Sequence, residues 1–233
     1  MQPRVLTTLL FLITLSAAPV TPSDDLQPIL ARMDKAASDF RTMTARGTYV
    51  THTDVLNENS TETGTLVMKK VQVGEVQGLI DFLSQDKRTV AFENRKLRIY
   101  YPKINTIREF DLGKHGEKLD QFFMIGFGTS GTALAKDYVV SVIGREPVEG
   151  KEGVRAIRLR LVPKTAEAGK YVKEVELLIP ESGDPYPLQE KISQPSGDYS
   201  RISYSDLKIN KPLPPDALRL KTSPGVKTEY PGK

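Results

Sequence analysis

Few side chains in this sequence have the types and spacing that catalysis or metal binding requires. The 233 residues contain no cysteine and only two histidines, His52 and His115. The lack of cysteine excludes disulfides, thiolate metal sites, thiol nucleophiles and a lipid-modified N-terminal cysteine. Because the two histidines are not a pair at helical or hairpin spacing, we expect no transition-metal site.

The acidic residues do not form an evident catalytic pair either. Of the 29, only Asp81 and Asp120 stand within apolar stretches, and each also fits the polar face of its element. The glycines of residues 126–131 match GxGxxG, but they follow a helical segment and lie in no βαβ unit, so we predict no dinucleotide cofactor. No nucleophile has an identifiable base. We therefore predict a binding protein that is not an enzyme and has no cofactor.

The pattern that indicates binding is an alternation of apolar and charged residues within residues 63–127. Period-two alternation is typical of strands with one apolar and one solvated face. Such strands, joined by short turns, form antiparallel neighbours. We predict that the apolar face lines a lipid-binding cavity. Its members on the strands are Leu66, Met68, Ile80, Phe82, Val90, Phe92, Leu97 and Ile99.

A helical segment at about residues 114–135 follows these strands. Large apolar groups recur in it at spacings of one, three and four residues, which is too many for a solvated helix surface. We therefore predict a lid that lies across the apolar face of the sheet. The lid residues that we expect to line the cavity are Leu119, Phe122, Phe123 and Phe127.

The rest of the chain continues the same alternation and predicts a mainly β protein with an α lid. An apolar stripe at steps of three and four predicts a first helix over residues 24–43. Eleven strands are too many to stay flat, so we predict that the antiparallel sheet curls into an unclosed barrel. The Pro-rich tail at 211–233 is predicted to be extended. The predicted strands are 47–53, 63–71, 78–84, 88–93, 97–101, 104–111, 137–145, 154–162, 171–179, 188–193 and 199–209.

The N-terminus and the charge pattern bear on location and partners. Residues 1–23 combine Arg4, an apolar run over 5–15 and small residues, which is typical of a cleaved secretory signal peptide. The run is short for a membrane anchor, although an uncleaved anchor is the alternative. The 33 basic and 29 acidic residues are interleaved along the strands. We therefore expect a solvated sheet face and no nucleic-acid partner.

Four short segments occur in an order that is known from a family of exported proteins. They are SDFRTMTARGTYV, GTLVMKK, NRKLRIYYP and, near the end, PPDALRLKTSPGVKT. In this order they resemble LolA, the periplasmic carrier of outer-membrane lipoproteins, and its LolA-like relatives. The resemblance implies an unclosed barrel of eleven antiparallel strands with helices as a lid. The number of strands agrees with the eleven that the alternation of apolar and charged residues predicts.

The resemblance also implies a function and partners. A LolA-like protein is a periplasmic chaperone that takes an acylated lipoprotein from an inner-membrane lipoprotein transporter and hands it to an outer-membrane acceptor. For this chain it implies a single half-barrel domain over 24–233, a monomer with no stable membrane span, and a lipoprotein or another lipid as cargo. Two alternatives stay open. One is a sensor or regulator of the same fold that binds a lipoprotein or a partner protein domain, and the other is an enzyme that uses the cavity.

One departure from the family concerns the lid latch. At the end of the second strand the classical carriers place an arginine, which ties the lid shut, followed by a proline. The matching positions here are Lys70 and Val71. We predict that Lys70 is the latch, although lysine keeps the charge and loses the planar fork of arginine. Lys69 would be the inward residue if the register shifted by one.

Overall fold

The computed structural model describes residues 26–72, 75–84, 86–113, 125–149 and 152–231. The predicted signal peptide at 1–23 lies outside these ranges. So do residues 114–124 of the predicted lid, which include Leu119, Phe122 and Phe123.

The described strands form one twelve-stranded sheet whose two end strands, β12 and β7, do not pair with each other. Every neighbouring pair is antiparallel except β12, which runs parallel to β6. The order across the sheet is β12, β6, β5, β4, β3, β2, β1, β11, β10, β9, β8 and β7. This confirms the predicted class, a mainly β protein with an unclosed antiparallel sheet. The strands are β1 (Thr42–Thr53), β2 (Glu58–Gln72), β3 (Glu75–Phe82), β4 (Arg88–Glu93), β5 (Lys96–Tyr101), β6 (Thr106–Asp111), β7 (Tyr138–Pro147), β8 (Arg155–Pro163), β9 (Glu174–Pro180), β10 (Gln189–Ser193), β11 (Tyr199–Ile209) and β12 (Lys227–Glu229).

The predicted count of eleven strands was one too low, because the C-terminal tail adds β12. Lys227 donates its backbone N–H to the Asn105 carbonyl at 3.1 Å. The Asn105 side chain in turn donates to the Pro224 carbonyl at 3.0 Å. The Tyr100 hydroxyl accepts from the Ser223 N–H at 3.1 Å. The tail therefore pairs with the free edge of β6 instead of staying a separate extended segment.

The first helix, α1 (Leu26–Asp39), ends four residues before the predicted position. Phe40 and Met43 continue the apolar spacing of the helix, yet Met43 lies in β1. The Asn210 side chain explains the boundary, since it donates to the Asp39 carbonyl at 2.8 Å and accepts from the Arg41 N–H at 2.7 Å. This bridge supplies partners for backbone groups that the end of a helix leaves unpaired.

Several strand ends also differ from the predicted ones. The first two strands begin five residues earlier than predicted. A 3₁₀ turn at Asp54–Leu56, with Asn57 in the left-handed region, closes their hairpin and lets β2 start at Glu58. At the other end of the hairpin, β1 starts at Thr42 because this residue pairs with Lys69 of β2. A second such turn, Pro102–Ile104, delays the start of β6. By contrast, the bounds of β4 and β11 are as predicted.

The described part of the predicted lid contains α2 (Gly131–Asp137), which packs against α1. The Asp34 carboxylate of α1 accepts hydrogen bonds from the Thr132 N–H at 2.8 Å and the Thr132 hydroxyl at 3.0 Å. A Cβ at Gly131 would lie 2.3 Å from the Leu30 carbonyl oxygen. Only glycine therefore permits this close approach of the two helices. A third, short helix is α3 (Ala166–Gly169).

Both helices cover one face of the sheet, called the inner face here, and the core beneath them has two parts. The first, called the packed part here, joins α1 and α2 to β8 and β9. The second joins the end of α1 to β1–β4. Buried residues of the first are Ile29, Leu30, Met33, Ile125, Leu134, Ile157, Leu159, Leu161, Val175, Leu177 and Ile179. Those of the second are Phe40, Met43, Leu66, Met68, Val76, Phe92, Phe127 and Tyr186.

We expect Gly64→Ala to destabilise the protein by about 1–3 kcal/mol, because a Cβ there overpacks the strand. A Cβ at Gly64 would lie 2.5 Å from the Asp81 carbonyl oxygen, and backbone cannot move aside as a flexible side chain can. Gly78→Ala is the matched control on the next strand, since its Cβ would meet nothing closer than the Val67 oxygen at 3.7 Å. Urea unfolding measures both. Equal stabilities of the two variants would contradict the prediction.

Candidate functional site

A cavity of about 340 Å³ lies against the inner face of the sheet. Its volume is at the lower end of the range for small-molecule sites. It is bounded by β1–β4 on one side and by β10 and β11 on the other. The residues around it are Met43, Tyr49, Val50, Thr51, Glu62, Leu66, Val67, Met68, Val76, Gly78, Leu79, Ile80, Phe82, Arg88, Val90, Phe92, Glu190, Ile192, Ser200, Arg201, Ile202 and Tyr204.

Six of the residues predicted to bind lipid surround this cavity. They are Leu66, Met68, Ile80, Phe82, Val90 and Phe92. The strand pairing brings them together, since Leu66 stands opposite Ile80 and Ile80 opposite Val90. That these residues bind lipid stays a prediction.

Three other predicted members are not among the described residues around the cavity. Leu97 packs against the second part of the core, and Ile99 stands opposite Val90 in the sheet. Phe127 is only 1% exposed. Its ring contacts that of Tyr204 edge-on, with centroids 5.1 Å apart. Tyr204 borders the cavity, so Phe127 packs against a residue of the cavity wall and is not itself part of it.

Two glycines in the middle of the sheet make room for close contacts beside the cavity. Gly47 and Gly64 stand opposite each other on β1 and β2. In place of a side chain at Gly47, the Tyr49 ring folds over the strand, with Cε2 only 2.8 Å from where a Cβ would be. The ring also packs on Phe82, with centroids 4.9 Å apart. These contacts fix the position of the Tyr49 side chain beside the cavity.

A bidentate ion pair borders the cavity where β2 extends beyond β3. Arg88 donates to both Glu62 carboxylate oxygens, at 2.6 and 2.8 Å. The hydrogen bond to Arg88 lowers the pKa of Glu62 and raises that of Arg88. The Arg88 guanidinium also lies 3.9 Å above the centre of the Phe82 ring. The charge of Arg88 is thus neutralised at the edge of a largely apolar space.

The most unusual group in the cavity wall is the carboxyl group of Glu190 on β10. The residue is 9% exposed, and burial raises the pKa of Glu190 to about 8. A buried carboxyl resists ionisation because the charged form loses its hydration. A hydrogen bond with the Tyr204 side chain offsets part of this effect. The Glu190 carboxyl therefore keeps its proton at neutral pH.

Two polar atoms of this wall have no hydrogen-bond partner among the described residues. One is Oε1 of Glu190 and the other is the Tyr49 hydroxyl oxygen. Burial raises the pKa of Tyr49, and the Glu190 carboxylate would raise it further once ionised, so the phenol stays protonated. Buried polar atoms are usually paired, and an unpaired one in a cavity wall is a candidate contact for a ligand.

The sequence does contain a pattern that places Glu190 on the apolar face of the sheet, although this residue was not among the predicted ones. In the segment LQEKIS, Glu190 shares its parity with Leu188 and Ile192, so it belongs to the apolar face. Asp81, which also stands within an apolar stretch of the sequence, is half-buried and accepts a hydrogen bond from the Thr89 hydroxyl at 2.7 Å. Asp120 lies outside the described residues.

Lys70, the predicted latch, reaches the end of α1. Its Nζ donates to the Ala37 carbonyl at 3.1 Å. The last carbonyls of a helix lack intrahelical partners and carry partial negative charge, which favours an ammonium group there. Lys69 is exposed and borders a groove on the outer face, so Lys70 is the residue on the inner face.

Two further contacts, which the sequence did not predict, hold α1 on the sheet. Arg32 donates to the carbonyls of Pro180, Glu181 and Gly183 at 2.9–3.0 Å. The Tyr186 hydroxyl donates to the Ala36 carbonyl at 3.2 Å. Arg32 anchors the helix over the packed part of the core, whereas Lys70 holds its end near the cavity.

The described residues contain no group of three or more histidine, aspartate or glutamate side chains that could hold a metal ion. Among the helices of the described ranges, none has the length and apolar character needed to cross a membrane.

No protein-family model matches this sequence, and no curated protein matches it. Solved structures do match. MucB aligns with a TM-score of 0.51 at 17% identity, over 85% of this chain and 64% of its own, so the chain spans less than two thirds of MucB. An uncharacterised conserved protein from Thermus thermophilus aligns with a TM-score of 0.50 at 12% identity, over 88% and 98%. A LolA superfamily protein from Nitrosomonas europaea aligns with a TM-score of 0.38 at 13% identity, over 81% and 94%.

The chain shares its fold with MucB and with the Thermus thermophilus protein. The basis of this fold in the chain is the single unclosed sheet, in which β1–β6 follow one another as antiparallel neighbours, with helices on the inner face. At these identities the likeness concerns the fold alone, and a fold of this kind does not determine what the protein binds.

Proposed function

We propose that this protein is a non-enzymatic periplasmic carrier that binds the acyl chains of lipoproteins, or of another lipid, and delivers them toward the outer membrane. The observation that carries the proposal is the cavity of about 340 Å³ against the inner face, surrounded largely by apolar side chains. The LolA-like fold, in which strands and helices leave such a space between them, is consistent with it. No catalytic chemistry is needed for this role.

The energetics of the cavity suit a carrier. Each buried methylene contributes roughly 0.8 kcal/mol, so a chain that enters an apolar cavity loses little relative to the membrane it leaves. The charge of the bordering Arg88 is paired with Glu62. A chain passing this edge therefore meets no isolated charge at Arg88, whose desolvation would be costly.

The partners follow from the resemblance of the sequence to LolA. They are an inner-membrane lipoprotein transporter and an outer-membrane acceptor, and residues 1–23 would export the protein to the periplasm as a cleaved signal peptide. The carrier would act as a monomer of one domain over 24–233.

The cargo can be tested on protein purified from its native cells. Native mass spectrometry and lipid extraction should show acylated cargo in a one-to-one ratio with the protein. An empty cavity together with a tightly bound partner protein would instead support a sensor of the same fold and refute the carrier.

We expect Gly78→Leu to weaken binding of a fluorescent fatty-acid probe about tenfold. Gly78 borders the cavity, and a Cβ there has room, so the leucine side chain would occupy space that the probe needs. Displacing two methylenes of the probe costs roughly 1.6 kcal/mol, which is about tenfold in affinity.

The matched control is Gly144→Leu in β7. A Cβ at Gly144 would meet nothing within 4 Å, and this residue is not among those around the cavity. The control should bind the probe as the wild type does, and lipopeptide should displace the probe from both. Equal affinities of the two leucine variants would show that the probe binds elsewhere.

A further inference from the structure

The cavity wall has a polar part that an acyl chain alone does not explain. Oε1 of Glu190 and the Tyr49 hydroxyl are both buried and lack hydrogen-bond partners among the described residues. Leaving two buried polar atoms unpaired costs stability. Such a cost is expected where a ligand supplies the missing partner.

The strand register brings these two groups to one place. Glu190 stands opposite Ile202 on β11, and Ile202 stands opposite Tyr49 on β1. Residues that stand opposite each other in antiparallel strands project from the same face, so both side chains lie on the inner face, and both border the cavity. Tyr204 contacts the carboxyl by a hydrogen bond. Oε1 is then the carboxyl oxygen without a partner.

The hydrogen-bonding chemistry of the site follows from its protonation. The Glu190 carboxyl holds its proton at neutral pH, because burial raises its pKa to about 8. When Tyr204 donates to one carboxyl oxygen, the proton belongs on the other, which makes Oε1 a donor. The Tyr49 hydroxyl is a second donor. A protonated carboxyl and a phenol that donate together are known to bind a carbonyl oxygen in an apolar site.

We propose that Glu190 and Tyr49 together bind the carbonyl oxygen of a ligand acyl group, so that the cavity takes fatty-acyl esters or amides in preference to chains without a carbonyl. This rests on the proposed function, because it assumes that an acyl chain occupies the cavity. Esters and amides share the chemistry that is recognised.

Two ligands that differ by one group test the proposal. Methyl decanoate and decyl methyl ether have the same length, and the ether has a methylene in place of the carbonyl. Each is titrated against N-phenyl-1-naphthylamine bound to the full-length mature protein. The wild type should have an ester-to-ether affinity ratio about tenfold higher than that of Tyr49→Phe or Glu190→Met, as one lost hydrogen bond would produce.

Conservative variants and pH separate recognition from a structural role. Glu190→Gln should keep the preference, because its amide N–H can donate in place of the carboxyl. Tyr49→Phe should melt no lower than the wild type, since it removes an atom that has no partner. Raising the pH above about 8 should lower the wild-type ester-to-ether ratio to that of Glu190→Met, because a carboxylate cannot donate, and should leave the ratio of Glu190→Gln unchanged.

The outcomes are distinguishable. The wild type, Tyr49→Phe and Glu190→Met could all bind both the ester and the ether with the same ester-to-ether affinity ratio. That result would overturn carbonyl recognition and leave the carrier proposal standing. A protein that binds neither the dye nor either ligand would overturn both. A melting temperature of Tyr49→Phe well below that of the wild type would assign the hydroxyl a structural role and count against the proposal.

Discussion

The free energy of unfolding should fall steeply between pH 5 and pH 8 in the wild type, and this dependence should be absent from Glu190→Gln. An unfolded chain ionises this carboxyl near its ordinary pKa of 4.5, whereas burial raises the pKa of the folded protein to about 8. Between those values the folded state holds a proton that the unfolded state has lost. Its stabilising effect is therefore complete below pH 4.5 and is lost as the pH rises through 8.

The expected slope is at most about 1.4 kcal/mol per pH unit for one proton, which makes several kcal/mol across the window. Burial raises the pKa of the neighbouring Tyr49 and Tyr204 hydroxyls as well, so neither titrates in this range. The measurement is urea unfolding of both proteins at each pH, with the difference between them as the readout. Parallel curves for wild type and Glu190→Gln would show that the carboxyl is ionised and hydrated in the folded protein.

Glu62→Gln provides a control of opposite sign. The hydrogen bond from Arg88 lowers the pKa of Glu62, so its stabilising effect is present above the ordinary carboxyl pKa and is lost as the pH falls below it. This control should differ from the wild type in the shape of its curve only on the acid side. A change between pH 5 and pH 8 in Glu62→Gln would mean that the Glu190 effect is not local.

Most of the fold could be predicted because it depends on local alternation. In a strand with one apolar and one charged face, the sequence itself indicates which side chains point to the core. The first and last residues of β4 and β11 were predicted correctly. Elements whose limits depend on distant partners could not be predicted. The end of α1 is fixed by Asn210, and β12 exists because the edge of β6 is free to accept it.

The site could be predicted in part, and the part that could be predicted also depends on local alternation. Parity along β2–β4 identified six of the apolar residues around the cavity, but it could not show which neighbours fill the space and which leave it open. Phe127 has the same apolar character as the others, and its place in the second part of the core depends on the rings of Phe40, Tyr186 and Tyr204 around it. Glu190 was not predicted because it stands in no apolar run, and its burial depends only on sharing the parity of Leu188 and Ile192 along the strand.

Lys70→Leu should strengthen retention of cargo about tenfold to a hundredfold and slow its delivery to acceptor membranes. In the structure the Lys70 ammonium holds the end of α1 through the Ala37 carbonyl. The cavity of about 340 Å³ is small, so we expect lipids with several chains to enter only if α1 moves and this bond breaks. A hydrogen bond from a charged donor contributes roughly 1.5–3 kcal/mol, which a cargo must offset in the wild type and not in the variant.

The control variants separate this effect from a general change of the surface. Lys69→Leu removes the neighbouring charge from the outer face and should deliver cargo as the wild type does. Lys70→Arg keeps a donor for the helix end and should preserve or improve delivery. Arg32→Leu, which frees α1 from the packed part of the core, should instead lower the free energy of unfolding. Transfer of a labelled lipoprotein to acceptor membranes measures delivery, and identical rates for wild type and Lys70→Leu would refute the latch, because a bond that cargo entry breaks must affect release.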